Sequence, residues 1–128
     1  IPDSFEGKKE NDVIINGKVI VGKNSIIESN VIIIGPVIIG ENCKILTNSR
    51  GSKVIIGPNT SIGDNSIIST SNIENSIVMQ NCKIDSIAGI KDSIIANNSE
   101  IKDNSLGNNK IFLLGEGSKV SLWEEFLD

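Results

Sequence analysis

From Ile15 onward, large aliphatic residues return every six positions: Ile15, Val21, Ile27, Ile33, Ile39 and Ile45. Four residues after each comes a second column that is small or β-branched: Val19, Ser25, Val31, Val37, Cys43 and Ser49. A helix repeats every 3.6 residues and a strand every two, so neither alone keeps a period of six. A parallel β-helix does, because each unit makes one short strand and one corner. The pattern predicts an all-β solenoid whose core is one column of stacked aliphatic side chains beside one column of small ones.

The register slips twice. Ile45 is followed by the next clear anchor at Ile56, eleven residues on. Read as one normal unit plus one unit short by a residue, this interval places a bulging corner at Thr47 to Lys53. Anchors then run Ile56, Ile62, Ile68, Ile73, Val78, Ile84, Ile90, Ile95 and Ile101, with Thr60, Ser66, Ser99 and Ser105 in the small column. Leu106 to Lys110 is the second break, and Leu114 and Val120 close the repeat around Ser118. With three units to a coil, these roughly seventeen units give five to six coils, a prism about 25–30 Å long at ~4.8 Å per strand. Residues 1–12 carry no repeat and read as the end of an interdomain linker, with Phe5 available to dock on the first coil. Residues 13–122 form the solenoid. Residues 123–128 read as a C-terminal cap, a short helix announced by Ser121 with Glu124 three residues on.

Composition sharpens this picture. Isoleucine dominates the apolar residues and suits a pleated surface. Asparagine, glycine and serine suit corners. The net charge is −4 and Arg50 is the only arginine, which argues against nucleic-acid binding. No apolar run reaches the ~18 residues of a membrane span, and no signal peptide is visible, so a cytoplasmic protein is expected.

The exterior follows from alternation along each strand: the residue before each anchor faces outward. Taking every third unit, one face carries Ile20, Ile38 and Ile55. A second carries Ile14, Ile32, Arg50 and Ile67. A third is mixed, with Ile26, Lys44, Ser61, Ile77 and Ile94. An exposed isoleucine stack marks an interface, so Ile20, Ile38 and Ile55 are the expected interface residues.

Candidate chemistry is sparse. There is no histidine, the side chain best suited to general-base work near neutral pH. Cys43 and Cys82 lie in the small column without the spacing of a metal or redox motif. Asp64, Asp85, Asp92 and Asp103 read as solvated corner residues. Gly35-Pro36 and Gly57-Pro58 read as corners, since they match no phosphate-binding fingerprint. The three threonines Thr47, Thr60 and Thr70 do not align as an ice-binding array would require. No catalytic, cofactor-binding or metal-binding residue is assigned.

The units VGKNSI, IGENCK, IGPNTS, IGDNSI and LGEGSK resemble the hexapeptide repeat of left-handed β-helix proteins. That family includes acyltransferases, γ-class carbonic anhydrases and nucleotidylyltransferase C-terminal domains. The runs IIGPNTSIGDNSII, NIENSIVMQNCKI and LLGEGSKVSL, with the opening Ile1-Pro2, are similar to the C-terminal domain of long-form glucose-1-phosphate thymidylyltransferases. The resemblance implies a left-handed coil and a homotrimer. It also implies an N-terminal catalytic domain, absent from these residues, that uses Mg²⁺ to join a sugar 1-phosphate to a nucleoside triphosphate. Two further readings stay open: an amino-sugar-1-phosphate acetyltransferase using acetyl-CoA, whose base histidine has no counterpart here, and a regulatory sugar-nucleotide-binding module.

Overall fold

The computed structural model describes residues 4–47, 51–107 and 109–123. Within them every regular element is a strand. The first turn holds β1 (Ser4–Phe5), β2 (Lys8–Lys9) and β3 (Ile14–Asn16), and the second β4 (Val19–Val21), β5 (Ile26–Ile27) and β6 (Val31–Ile34). The third holds β7 (Val37–Ile39), β8 (Lys44–Ile45) and β9 (Val54–Ile56). The fourth holds β10 (Thr60–Ile62), β11 (Ile67–Thr70) and β12 (Asn72–Glu74), and the fifth β13 (Ile77–Val78), β14 (Lys83–Ser86) and β15 (Ile90–Lys91). Then come β16 (Ile94–Ile95) and β17 (Glu100–Asp103), a single bridge from Lys110 to Ile90, and finally β18 (Leu113–Leu114) and β19 (Lys119–Leu122). Each strand pairs in parallel with the equivalent strand one turn away. Three sheets of seven, seven and five strands result, a parallel β-helix of about six turns. We call them sheet A (β1, β4, β7, β10, β13, β16, β18), sheet B (β2, β5, β8, β11, β14, β17, β19) and sheet C (β3, β6, β9, β12, β15).

The anchor column is the core. Ile27, Ile33, Ile39, Ile45, Ile56 and Ile68 are all fully buried, as are most later anchors. Ile15, Leu114 and Val120, near the two ends, are only partly covered. The small column has a second task at the corner between sheets A and B. Ser25 Oγ donates to the Gly40 carbonyl at 2.7 Å and accepts from the Cys43 amide at 3.0 Å. Ser66 Oγ donates to the Met79 carbonyl at 2.9 Å and accepts from the Cys82 amide at 3.1 Å. The thiols of Cys43 and Cys82 point at the carbonyls of Gly63 and Ala96, at 3.1 and 3.2 Å. Ser99 continues the series onto Gly115. Each side chain ties its turn to the next and none is left buried without a partner.

Corners use asparagine for its tolerance of left-handed backbone. Asn24, Asn42, Asn65, Asn81 and Asn98 form one column with φ of 62°, 57°, 62°, 58° and 64°. In that conformation each amide from Asn42 onward reaches the turn before, for instance Asn65 N to Glu41 O at 2.9 Å. Glycine packs beside them because nothing larger fits: a Cβ on Gly22 would lie 2.7 Å from the Gly40 carbonyl carbon.

Three expectations change. The interval from Ile45 to Ile56 counts as one unit with a long corner, not as two units. Val54 registers with Val31 and Ile56 with Ile33, so the chain rejoins sheet C, the next sheet in turn after Ile45. Asn30 holds the long corner, its Nδ2 donating to the Gly51 carbonyl at 3.1 Å and its own carbonyl accepting from Val54 N at 2.9 Å. Residues 4–12 are not linker in form. β1 and β2 extend sheets A and B, and Phe5 packs on the core beside Val21. Their pattern is masked because Lys9, in register with the anchor Ile27, is exposed and keeps its charge in water. Ser121 starts no helix; it lies within β19, opposite Lys102. Of the expected cap at 123–128, Trp123 is exposed, and the remainder, with Glu124 and Phe126, lies outside the described residues.

Candidate interaction surface

The three faces differ in what they show to solvent, and the long corner at 46–53 decides which residues share a face. The outward row of sheet A is Ser4, Ile20, Ile38, Ser61, Ile77, Ile94 and Leu113, each in register with the next. Ile20, Ile38, Ile77 and Ile94 are 41%, 52%, 46% and 43% exposed, and Leu113 is 81% exposed. No charge interrupts the row. On sheet B the corresponding row reads Lys8, Ile26, Lys44, Ile67, Lys83, Glu100 and Lys119. On sheet C it reads Ile14, Ile32 and Ile55, then turns polar at Asn72.

Of the expected interface residues, Ile20 and Ile38 are neighbours on sheet A. Ile55 is not with them: it stacks on Ile32 in sheet C. Arg50 lies outside the described residues, and Ile67 stands on sheet B beside Lys44. Counting the eleven-residue interval as two units rotated every later residue by one face. Ser61, Ile77 and Ile94 therefore belong to the Ile20–Ile38 row, not to a mixed face with Ile26 and Lys44. The signal that could have shown this is the composition of 46–53, which offers no aliphatic anchor near its middle.

The other candidate groups are structural. Asp64 Oδ1 accepts from the Glu41 amide at 2.8 Å, and Asp92 Oδ1 from Asn75 Nδ2 at 2.7 Å, both at corners. Asp85 stands mid-strand on sheet B, exposed, in register with Lys102. Asp103 departs from the solvated corner expected of it. It is fully buried at the end of β17 and accepts from Lys110 Nζ at 2.6 Å, from Ser105 Oγ at 2.5 Å and from Ser105 N at 2.9 Å. Lys110 also reaches Ser105 Oγ. Burial alone would raise the Asp103 pKa, but hydrogen bonds from Lys110 and Ser105 and the Lys110 charge outweigh it and hold the carboxyl below its ordinary value. This trio pins the second break of the repeat. It is not a base, since a carboxylate held by an ammonium has little pull on a substrate proton. Burial raises the pKa of both Cys43 and Cys82, which leaves them as protonated, inert thiols.

A groove of about 580 Å³ runs along sheet B past Ile67, Lys83, Glu100 and Lys119. Its charges answer one another across strands, Lys119 Nζ standing 3.6 Å from Glu100. Among the described residues there is no group of three His, Cys, Asp or Glu side chains placed to hold a metal. Nor is any helix long and apolar enough to cross a membrane. Among the three outward rows, that of sheet A is the apolar one without a charge.

None of the curated proteins matches the chain. The family described as GMPPB C-terminal domain matches residues 33–125, from within β6 into the tail. The chain therefore belongs to the GMPPB C-terminal domain family, an accessory domain of nucleotidylyltransferases built from hexapeptide repeats.

Proposed function

We propose that this chain is the assembly domain of a sugar-1-phosphate nucleotidylyltransferase and that it joins copies of the protein through sheet A. The observation that carries the reading is the outward row from Ile20 to Leu113, which has large apolar side chains at five of six positions and no charge. The same strands could have carried the Lys and Glu residues found on sheet B; an exposed apolar stripe of this length is what interfaces look like before they close. In this reading the parent enzyme joins a sugar 1-phosphate to a nucleoside triphosphate and releases pyrophosphate. Mg²⁺ and all catalytic groups belong to a separate N-terminal domain. Thymidylyl specificity, with dTDP-glucose as product, is part of the proposal and rests on the motif resemblance alone. The acetyltransferase alternative finds no support in the geometry, because no histidine exists and the buried carboxylate is neutralised by Lys110.

Covering the remaining half of each of these side chains contributes about 1 kcal/mol apiece, half of the ~1.5–3 kcal/mol for full burial. Ten such residues across two copies contribute about 10 kcal/mol, comparable to the ~4–15 kcal/mol cost of association. The test is sedimentation of the chain by itself over a wide concentration range. Assembly that weakens on Ile38→Lys supports the reading. A chain that stays monomeric throughout, or an assembly indifferent to Ile38→Lys, removes it.

A further inference from the structure

The order of residues along sheet A says how two copies would meet, given the reading that sheet A is the assembly face. We propose that sheet A packs on sheet A of a second copy about a two-fold axis that runs along the strand direction through Ser61, so that the two solenoids lie antiparallel. Outward from Ser61 the row is symmetric for two steps, Ile38 and Ile77 flanking it and then Ile20 and Ile94; at the third step Ser4 answers Leu113. Parallel strands are evenly spaced at ~4.8 Å. Under this axis Ile38 of one copy therefore lies over Ile77 of the other, Ile20 lies over Ile94, and the single polar residue of the central row meets itself.

The rim charges favour the same axis. Lys18 and Asp92 each stand two residues before an outward isoleucine, Ile20 and Ile94, at the corner that leads into sheet A, and both are exposed. The proposed axis sets Lys18 of each copy opposite Asp92 of the other, giving two ion pairs. At the opposite rim Lys23 meets Asn97 and Glu41 meets Gln80. Asp64 meets its own copy there, a like-charge contact that offsets part of the gain from the two ion pairs, with its Oδ1 accepting from the Glu41 amide at 2.8 Å. The other two-fold arrangement, with solenoids parallel, places the leading corner against the trailing corner of the same turn and sets Lys18 against Lys23. A three-fold ring is heterologous and needs two different complementary faces on each copy. Sheet C is apolar only as far as Ile55; past it Asn72 bonds to Asn109 and Gly89 is buried, so it offers no apolar row to match Ile77 and Ile94. Sheet B offers lysines.

The face is about 30 Å by 10 Å, so two flat faces cover roughly 600 Å² before side-chain relief is added, below the ~1,200 Å² of stable complexes. The pair formed by this domain is accordingly concentration-dependent.

Cysteine cross-linking reads the geometry directly, because Cys43 and Cys82 are buried. Ser61→Cys, treated with a short bis-maleimide at concentrations where the chain self-associates, is expected to give a covalent dimer. Ile20→Cys alone is expected to give none, whereas an equimolar mixture of Ile20→Cys and Ile94→Cys is expected to give the mixed dimer. These three positions are partly exposed, and circular dichroism and sedimentation of each variant confirm that fold and assembly persist. Self-linking of Ile20→Cys overturns the antiparallel arrangement in favour of the parallel one. A three-copy mass without a Ser61→Cys link overturns the two-fold, and if Ile38→Lys still dissociates that assembly, sheet A remains the assembly face. A chain that is monomeric at every concentration overturns both.

Discussion

Replacing Ile38 by Lys puts a charge at the middle of the apolar row. Ile38 is 52% exposed and sits between Ile20 and Ser61 in register. Covering its remaining half contributes ~0.75–1.5 kcal/mol per copy, taken as half the value for full burial. A contact between identical faces loses this twice, about 1.5–3 kcal/mol, which weakens association roughly 10- to 150-fold. Desolvating the ammonium adds to the loss, so this is a lower bound. The fold itself should hardly notice, since a lysine stem lies along an apolar surface while its head stays in water. The control is Ile26→Lys. Ile26 is 44% exposed, nearly the same, but stands on sheet B between Lys8 and Lys44. Sedimentation velocity of both variants and the parent chain, over the same concentrations, reads the outcome. Ile38→Lys should shift the association curve by at least tenfold while Ile26→Lys leaves it in place. Equal curves for the two variants would refute the reasoning, because then the face of the prism would not matter.

Other consequences can be measured separately. Asp103→Ala leaves the Lys110 ammonium without its partner and should cost about 2–4 kcal/mol at neutral pH in denaturant unfolding, less than a fully buried pair because Lys110 is partly exposed. The folded pKa of Asp103 is depressed, so its stabilisation is complete above the ordinary carboxyl range and is lost as pH falls through the folded value. The stability difference between the parent and Asp103→Asn should therefore shrink on acidification below about pH 4; a difference constant down to pH 2 would contradict this. Asn65, at φ 62°, should tolerate Gly within a few tenths of a kcal/mol and lose about 1–2 kcal/mol as Ala; equal melting of the two would show that the corner relaxes. Cys43 and Cys82 should resist a thiol reagent in the folded chain and both react in denaturant, which reaction of the native protein would contradict.

How much of this could be read from the chain depends on the range of the information needed. The inner columns were legible because burial of Ile27, Ile33 and Ile39 is set by a strand and the strand beside it. The small column was legible as small, though not its hydrogen-bonded ladder, since Ser25 finds Gly40 and Cys43 only after a full turn closes. Which face a residue occupies is a different kind of fact. It depends on the number of units passed since the start, so one misread corner at 46–53 misplaced Ile55 and everything after it. Asp103 was misread for a related reason. Nothing local distinguishes it from Asp64; its burial comes from a break in the repeat that brings Lys110 back over the end of β17. Residues 4–12 were hidden because Lys9 stands exposed in register with Ile27, where later turns carry a buried isoleucine.

The long corner at 46–53 also shows how such a molecule can change without being rebuilt. Faces are addressed by counting units in threes, much as codons are addressed by counting bases. Extra residues looped out of a corner leave the count untouched, and every later side chain keeps its face. Adding or deleting one complete six-residue unit preserves the fold of each strand and every buried contact type, yet turns all that follows by a third of a revolution. Past such an event Ile77 and Ile94 would leave the apolar face and the lysine-bearing row would join it or sheet C instead. Length changes that are harmless to the core are thus of two kinds here, silent ones at corners and frameshifts of the surface, and only the second kind would erase the partner.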